Sequence, residues 1–500
     1  MNYFISENIF ALNSGTEHAQ ARRVKVFAAL PGEAALYVTR NYNRFLDRDR
    51  QTLGLRQDQV LNMYDYFQQA TRFPRREQPL RGLAQIPLAA YKIQGFGPNY
   101  SLLLANGEPL ARANIMPGTV GLVGDINYQD RSGHLLVREN FDWRGFKSSV
   151  DYFHPQGARA RTVYLDPAGK PKLVVVCMNR GGQVAPTLVQ LLDYHGKNYR
   201  FASEDELFQF FLDQLVAKDP QARLFCERRS LDRVVGAVAA KQKWVVFHDA
   251  HAVQGQLLAA YRAVLTEHPE QFTGVLVATK AQQAALMQQY PRVQAVVVPD
   301  TAAVPVRAPL ADAPRPGHVL IMVGRLAPEK GVEAALRIFA RVRAAVPDAT
   351  LVLRGYAQSA AYLTQLKQQA AALKVAAAVT FAPYVTGSKL TQTYAGAHVL
   401  LAPSRHEGLG MQLIEALSAG TPVIAYDCEF GPASVVSPGV NGDLVRPGAE
   451  ADAAAKVIKL LRSPILWRQL HRGALATASR YRPAEVGKQW QAFLKAHPVV

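Results

Sequence analysis

The apolar and polar positions of the chain alternate between buried strands and amphipathic helices. The first unit is the apolar run YFISE, a loop at residues 13–15, and a stretch from residue 16 to about 30 with helical spacing of apolar positions. Ser14 and Glu17 stand three residues apart at its start, which is the spacing of a helix capping box. This pattern predicts the first strand–helix unit of a Rossmann-like domain.

The pattern changes between residues 72 and 199. Turns such as LANGEP, RSGH and LDPAGKP separate short apolar runs there, as in β-hairpins. Strand–helix alternation resumes with a helix opened by Ser203 and Glu206. We therefore predict an N-terminal Rossmann-like domain over residues 1–71 and 200–303, interrupted by a β-rich insertion over residues 72–199.

A second alternating block is expected over residues 304–483. It opens with the proline-rich stretch VPVRAPLADAPRPG, which has the composition of a stiff interdomain linker. The strands HVLIMVG, ATLVLRG, VTFAPY, HVLLAPS and PVIAYD then alternate with helices, which predicts a parallel sheet that binds ligands beyond its carboxyl edge. A last helix within residues 484–500 can pack on either domain. The predicted class is α/β with two Rossmann-like domains.

Composition favours a cytoplasmic enzyme. Nearly half of the 500 residues are hydrophobic, yet no run approaches the ~18 apolar residues of a membrane helix. The start MNYFISENIF lacks the features of a secretory signal. The three cysteines, Cys177, Cys226 and Cys428, fit neither a disulfide framework nor zinc spacing, which indicates a reducing compartment.

The formal charge of +18 bears on which partners to expect, because the electric field of a strongly positive protein attracts anions. No helix-turn-helix, zinc-finger spacing or RNA-binding aromatic strand accompanies it, so we expect no nucleic acid partner. A polyphosphate acceptor or an anionic membrane surface is the preferred interpretation. A basic solubilising surface without a partner is the alternative.

Two cations follow the first strand of the second block. Gly324 ends HVLIMVG, and Arg325 and Lys330 flank the turn after it. A guanidinium fork and an ammonium group at this spacing can clamp a diphosphate. A solvated basic turn is the alternative.

A second polar segment, Arg405 to Glu415, follows the strand HVLLAPS. Gly408 and Gly410 open the next helix, so backbone N–H groups can approach an anion there. Glu407 and Glu415 are eight residues apart, which on one helix places them about 80° apart and towards one pocket. The alternative to a shared pocket is that one carboxylate only stabilises the helix dipole and that the other is an unrelated surface residue.

A third segment, WVVFHDAHAV, places His248, Asp249 and His251 beyond a strand of the first domain. The spacing is not that of a known zinc motif, so no metal is expected. The acidic pair in LDRDRQ, Asp47 and Asp49, is interpreted as part of a solvated face.

Together, the GRLAPEKG turn, the Glu407–Glu415 spacing and His248 resemble the retaining glycosyltransferases of family four, which have the GT-B fold. That resemblance implies two facing Rossmann-like domains with a nucleotide-sugar donor in the cleft. It also implies that no metal is needed, because Arg325 and Lys330 neutralise the leaving diphosphate.

The segments NSGTEHAQARRVKVF and DCEFGPASVVSPGVNGDLV resemble, more narrowly, the bacterial wall teichoic acid poly(glycerol-phosphate) and poly(ribitol-phosphate) α-glycosyltransferases. This implies transfer of glucose or N-acetylglucosamine from UDP-glucose or UDP-N-acetylglucosamine to a polyanionic acceptor. It further implies contact with the inner membrane face, a homo-oligomer such as a trimer, and an insertion for acceptor binding or oligomerisation. A sister group that adds N-acetylglucosamine to serine-rich adhesins with a partner subunit is the first alternative, and a non-catalytic GT-B subunit is the second.

The resemblance assigns roles to individual residues. Arg325, Lys330, Glu407 and His248 are the expected catalytic residues. The expected donor-binding residues are Gly15, Gly324, Tyr384, Val385, Gly408, Leu409, Gly410, Met411 and Glu415. The implied reaction is front-face transfer with retention, in which the leaving diphosphate helps to deprotonate the acceptor.

Overall fold

The computed structural model describes residues 1–301 and 317–499. The interdomain linker predicted from the proline-rich stretch therefore lies, except for Gly317, outside the described residues. Among the residues described, no helix is both long and apolar enough to cross a membrane.

The chain begins with three parallel strands and three helices. Strands β1 to β3 are Asn2–Ser6, Ala35–Thr39 and Val60–Asn62, and helices α1 to α3 are Gly15–Phe27, Leu46–Thr52 and Met63–Phe67. The capping box at α1 is present, because the backbone N–H and Oγ of Ser14 both donate to Glu17. Because β1 and β2 are parallel neighbours, the loops that follow them leave the same edge of one sheet.

The acidic pair on α2 is buried, so the prediction of a solvated face is wrong. Asp47 accepts hydrogen bonds from Arg50, and Asp49 accepts from Asn43 and is paired with Arg48. Alternating charges resemble a solvated face in sequence, but here each carboxylate has a cationic or amide partner that permits burial.

The β-rich insertion forms one ten-stranded antiparallel sheet in which consecutive strands are neighbours. Its strands, β4 to β13, are Lys92–Phe96, Tyr100–Ala105, Glu108–Ile115, Val123–Gln129, Leu135–Phe141, Lys147–Phe153, Arg159–Leu165, Pro171–Arg180, Gln183–Tyr194 and Lys197–Phe201. In the turn between β10 and β11, Asp166 accepts hydrogen bonds from the backbone of Ala168 and Lys170, and Gly169 has a φ of +86°. The turn signals in the sequence thus correspond to hairpins.

The chain then returns to the first sheet. The strands are β14 (Arg223–Cys226), β15 (Gln242–Val246), β18 (Gly274–Val277) and β19 (Ala295–Val297), and the helices are α4 (Glu204–Lys218), α5 (Asp232–Ala237) and α6 (Lys280–Gln289). A small hairpin of β16 (Ala252–Val253) and β17 (Gln256–Leu257) lies between β15 and β18. The order β19-β18-β15-β14-β1-β2-β3 is parallel throughout.

The second half contains a six-stranded parallel sheet of order β22-β21-β20-β23-β24-β25. Strands β20 to β25 are Val319–Val323, Thr350–Arg354, Val379–Ala382, Val399–Ala402, Val423–Tyr426 and Gly442–Val445. Helices α7 to α12 are Val332–Ala345, Ala360–Ala372, Gly387–Ala395, Met411–Ser418, Pro432–Val435 and Glu450–Arg462. Strands such as VLIMV are apolar at every position because helices cover both faces of the sheet.

The last two helices are α13 (Pro464–Ala478) and α14 (Pro483–Ala496). Helix α13 stays with the second sheet, whereas α14 packs on the first. Trp490 of α14 makes edge-to-face contacts with Phe4, Phe27 and Phe225 at centroid distances of 5.9, 5.0 and 5.6 Å. This decides a question that the sequence left open, because apolar periodicity identifies a buried face but not its partner.

Candidate active site

A cavity of about 220 Å³ lies between the carboxyl edges of the two parallel sheets. It is lined by twelve of the thirteen residues that the sequence analysis selected: Gly15, His248, Gly324, Arg325, Lys330, Tyr384, Val385, Glu407, Leu409, Gly410, Met411 and Glu415. The remaining one, Gly408, does not line the cavity but lies against the backbone of His248. Segments from both halves of the chain thus meet at one place.

The turn after β20 carries the two predicted cations. Arg325 is half-exposed and pairs with Glu329, while Lys330 Nζ donates to Glu407 Oε1 at 2.7 Å. Burial lowers the pKa of Lys330, but Glu407 and Asp249 outweigh this and hold that pKa above its ordinary value. Lys330 is therefore a fixed positive charge at the cavity wall.

The backbone that presents Lys330 depends on Gly331. Its φ is +72°, and a Cβ there would lie 1.9 Å from the carbonyl oxygen of Pro403. The turn after β20 and the loop after β23 therefore touch through their backbones. Only glycine permits this approach, which brings Lys330 within reach of Glu407.

Glu407 is buried and has three hydrogen-bond donors. Besides Lys330, it accepts from Ser404 Oγ and Gln412 Nε2, both at 2.8 Å. The expectation that Glu407 and Glu415 share a helix is wrong, because α10 begins only at Met411. Both carboxylates still line the cavity, since the loop before α10 folds Glu407 back towards it.

The start of α10 faces the cavity with its backbone. Gly410 has a φ of +87°, and Leu409, Gly410 and Met411 all line the wall. The first N–H groups of a helix have no partners within the helix and carry the positive end of its dipole. This part of the wall is suited to anionic or hydroxyl oxygens.

Glu415 lies where the two halves touch. It accepts a hydrogen bond from Tyr394 at 2.8 Å and is paired with Arg22 of α1. His18, one turn earlier on α1, is hydrogen-bonded to the Tyr384 hydroxyl at 2.7 Å, and burial lowers the pKa of His18 to about 4. Helix α1 therefore contacts predicted donor-binding residues directly, although its sequence pattern gave no signal for His18 or Arg22.

His248 is held by a buried carboxylate that the sequence analysis missed. Its Nε2 is 2.5 Å from Glu227, which directly follows β14 and is also paired with Arg23. Burial raises the pKa of Glu227, but Arg23 and His248 outweigh it and hold that pKa below its ordinary value. The ionised carboxylate accepts, so the Nε2 of His248 carries a proton. An acidic residue immediately after a predicted buried strand was the available signal.

Asp249 and His406 form a second contact between the two halves. His406 Nδ1 lies 3.0 Å from Asp249 Oδ1, and this hydrogen bond raises the pKa of His406. Nearby, a Cβ on Gly408 would lie 2.6 Å from the His248 carbonyl oxygen. The cavity is thus closed on this side by a backbone contact and an ion pair.

His251 does not join this cluster. It is buried and stacks on Phe430 with centroids 5.1 Å apart, and burial lowers its pKa to about 4. Among the described residues, no group of three or more His, Cys, Asp or Glu side chains is placed to hold a metal ion. Metal independence of the reaction stays a prediction.

Two facing parallel sheets with a cavity between their carboxyl edges form the GT-B fold, and the cavity wall carries a lysine–glutamate pair, a helix N-terminus and a histidine. Residues 312–476 match the family model described as glycosyl transferases group 1, so the chain contains that domain. The predictions of the fold and of a glycosyltransferase are confirmed.

Two relatives show how far the likeness extends in sequence. The GtfA subunit of the UDP-N-acetylglucosamine–peptide N-acetylglucosaminyltransferase of Streptococcus gordonii is 23% identical over 99% of this chain and 98% of its own. The poly(glycerol-phosphate) α-glucosyltransferase of Bacillus subtilis is 21% identical over 73% of this chain and 55% of its own.

Two solved structures share the whole architecture. The pneumococcal O-GlcNAc transferase GtfA, in complex with UDP and GlcNAc, has a TM-score of 0.83 at 17% identity and covers 99% of this chain and 98% of its own. A point mutant of S. aureus TarM, in complex with fondaparinux, α-GlcNAc-glycerol and UDP, has a TM-score of 0.81 at 16% identity and covers 98% of both chains. These matches establish the GT-B fold.

Proposed function

We propose that this protein transfers glucose or N-acetylglucosamine from a UDP-sugar, with retention, to hydroxyls of a polyol-phosphate wall teichoic acid. The observation that carries the donor half of this proposal is the Lys330–Glu407 pair, which faces His248 across the cavity. The UDP complexes of both structural neighbours support a uridine donor.

The contacts suggest a separate role in the reaction for each residue of the cavity. Lys330 and Arg325 stabilise the departing diphosphate, together with the N–H groups at the start of α10. Glu407 accepts hydrogen bonds from the donor sugar, and Glu415 binds the ribose. Because Nε2 of His248 is committed to Glu227, its Nδ1 is the ring nitrogen available to the sugar.

The chemistry needs no protein base. The bond between the anomeric carbon and the diphosphate oxygen breaks, and the acceptor oxygen bonds to the same face of that carbon. The acceptor proton passes to the leaving diphosphate. Positive charge from Arg325 and Lys330 takes the place of a divalent ion, so we expect EDTA to leave the rate unchanged.

Charge supports the choice of acceptor. The chain carries 57 Lys and Arg residues against 39 Asp and Glu, and the segment from residue 72 to 201 contributes 17 against nine. A polymer of phosphodiesters complements such a surface, whereas an uncharged serine-rich peptide does not. A homo-oligomer that works at the inner face of the membrane belongs to the same proposal.

A serine-rich protein acceptor is the second candidate. It is favoured by the nearly full-length match to the Streptococcus gordonii GtfA subunit, whereas the Bacillus subtilis match covers less of this chain. A second, non-catalytic partner subunit would then be required.

Acceptor choice decides between the two. The purified protein is incubated with UDP-glucose or UDP-N-acetylglucosamine and either poly(glycerol phosphate), poly(ribitol phosphate) or a serine-rich peptide. We expect transfer to a polyol phosphate without a second protein, with an α-linked product by NMR. Transfer to the peptide alone, and only with a partner protein, would overturn the proposed acceptor.

A further inference from the structure

A continuous stack of arginines and aromatic rings lies outside the donor cavity, where α2 meets the insertion. Arg44 and Arg48 both lie over the Phe45 ring, at 4.8 and 4.5 Å, and Arg48 also reaches the Trp143 ring at 5.7 Å. Arg75 stacks on Trp143 at 4.4 Å. We call these five residues the arginine–aromatic ladder.

The arginines at the two ends of the ladder differ in whether a carboxylate is paired with them. Arg44 is paired with Asp125 and Arg48 with Asp49. Within the described part of the chain, neither Arg75 nor its neighbour Arg76 has a carboxylate partner, and both are exposed. The segment from residue 71 to 90 holds four arginines and one glutamate. Its charge is therefore available to a ligand.

The ladder is rigid at its centre. Trp143 sits at the tip of the β8–β9 hairpin, and its backbone N–H donates to the carbonyl oxygen of Arg44 at 2.8 Å. The next residue, Arg144, is buried and holds Asp65 of α3 and Asp142 through ion pairs of 2.8 and 2.7 Å. A guanidinium stacked on a fixed ring keeps its N–H edge outward, which is the geometry that binds phosphate oxygens in a fork.

Hydrogen bonds of residues next to the ladder connect it to the wall of the donor cavity. Asn43 donates to the carbonyl oxygen of Ile9 at 2.8 Å and so holds the loop that leads to the cavity wall at Asn13. On α2, Thr52 approaches Asn13 at 3.4 Å, and Arg48 lies one helical turn, about 6 Å, before Thr52. The ladder is therefore connected to the wall of the donor cavity through the first loop and α2.

We propose that the arginine–aromatic ladder and Arg76 bind the phosphodiester backbone of the polymeric acceptor and feed it towards the donor cavity. This inference rests on the proposed polyol-phosphate acceptor. It goes further in assigning the anchoring charges to residues on α2, the β8–β9 tip and the segment after α3.

The test compares a polymer with a short acceptor. Arg75→Gln combined with Arg76→Gln should raise the KM for poly(glycerol phosphate) by about tenfold, because two phosphate contacts are lost. The KM for glycerol phosphate and for the UDP-sugar should stay within about twofold, and the slope of log KM against log salt should fall by about 1.5 to 2. Trp143→Leu, checked for an unchanged melting temperature, should have a similar effect on the polymer.

The matched control is Arg341→Gln combined with Arg468→Gln, which removes the same charge from exposed positions on α7 and α13. An unchanged polymer KM in the ladder variant, or an equal rise in the control, would overturn the inference. So would loss of binding to anionic vesicles or RNA with an unchanged polymer KM.

Equilibrium binding of poly(glycerol phosphate) without UDP-sugar separates this inference from the proposed function. If the wild-type protein transfers only to peptide, the proposed acceptor fails. If the wild-type protein transfers to the polymer and the ladder variant binds the polymer as tightly as the wild type does, only the inference about the ladder is overturned.

Discussion

At the scale of single residues, the cavity is a set of paired charges. Lys330 meets Glu407, and His248 meets Glu227, each pair joining segments that lie far apart in the chain or on separate loops. Pairing holds the pKa of Lys330 above and that of Glu227 below its ordinary value, in a partly buried place where an isolated charge would be costly. Ionised, fixed groups stabilise charge that develops during a reaction without reorganising.

Lys330→Gln should lower turnover by a hundredfold or more. Loss of one charge-stabilising donor costs on the order of 2.7 to 4 kcal/mol in comparable sites. Glu407→Gln keeps the side-chain volume and should lower turnover similarly, because it removes the negative charge that pairs with Lys330 and that strengthens the hydrogen bonds accepted from the donor sugar. Steady-state rates of folded, purified variants measure this, and near-normal turnover in either variant would contradict the assignment.

Glu227→Gln should act through His248, as a positioning residue. We expect kcat to fall about tenfold or more, with a smaller change in the KM for the donor, because the ring loses its fixed orientation. The double variant with His248→Ala should be no slower than His248→Ala alone. Additive losses would show instead that Glu227 acts independently of the ring.

At the scale of elements, the loops after the strands carry the chemistry and the glycines in them set its geometry. The loop before α10 turns Glu407 back into the cavity and brings Gly408 against the backbone of His248. Helix α14, in contrast, contributes apolar packing to the first sheet and no residue to the cavity wall.

Gly408→Ala should weaken donor binding without changing secondary structure. An added Cβ would lie 2.6 Å from the His248 carbonyl oxygen, so the two halves must separate slightly. We expect the KM for the UDP-sugar to rise by about tenfold, since small displacements in such sites are costly. Gly95→Ala is the control, because its Cβ would meet no atom within 4 Å. Equal effects of the two substitutions would argue against a role for the contact.

Trp490→Ala should destabilise the first half of the protein by about 3–5 kcal/mol, the usual cost of removing a large buried aromatic side chain. Trp490 is buried among Phe4, Phe27 and Phe225. Chemical denaturation followed by circular dichroism measures the loss. Lys488→Ala, on the exposed side of the same helix, should change the free energy of unfolding little.

At the scale of the whole molecule, the two halves meet through polar contacts at the cavity. Arg22 pairs with Glu415, His18 with Tyr384, and His406 with Asp249. The first two involve residues expected to bind the nucleotide. Donor binding and the relative position of the halves should therefore influence each other.

The His406–Asp249 pair should make the interdomain contact depend on pH. The pKa of His406 is raised, so its stabilising contribution is complete below its ordinary pKa of 6.5 and is lost as the pH rises through the raised value. The pKa of Asp249 is lowered, mainly by His406 and Lys330 against burial, so its contribution is lost only as the pH falls below the ordinary value of 3.8.

His406→Gln should therefore reduce the free energy of unfolding more at pH 6 than at pH 9. The difference should be below about 1 kcal/mol, because partly exposed ion pairs contribute little. Denaturation of both proteins across this range measures it. A difference that grows towards pH 9 would contradict the sign.

The sequence by itself was enough to predict the two parallel sheets, the inserted hairpins and twelve of the residues at the cavity wall, some of them, such as Gly15 and Tyr384, only through the family resemblance. Apolar periodicity is local, and parallel strands bring the loops at their carboxyl ends to one edge, so candidates such as Lys330 and Glu407 could be selected without coordinates. The length of α10, the burial of Asp47 and the partner of α14 depended on packing that periodicity does not encode.

Only the tertiary structure brought Glu227 to His248, Arg22 to Glu415 and Arg75 to Trp143. The first pair follows neighbouring strands of one sheet, and the second lies on helices of different halves. The third joins a hairpin tip of the insertion to the segment before its first strand. The local sequence around each of these side chains gives no sign of its role. The role comes from a partner distant in the chain that folding places beside it.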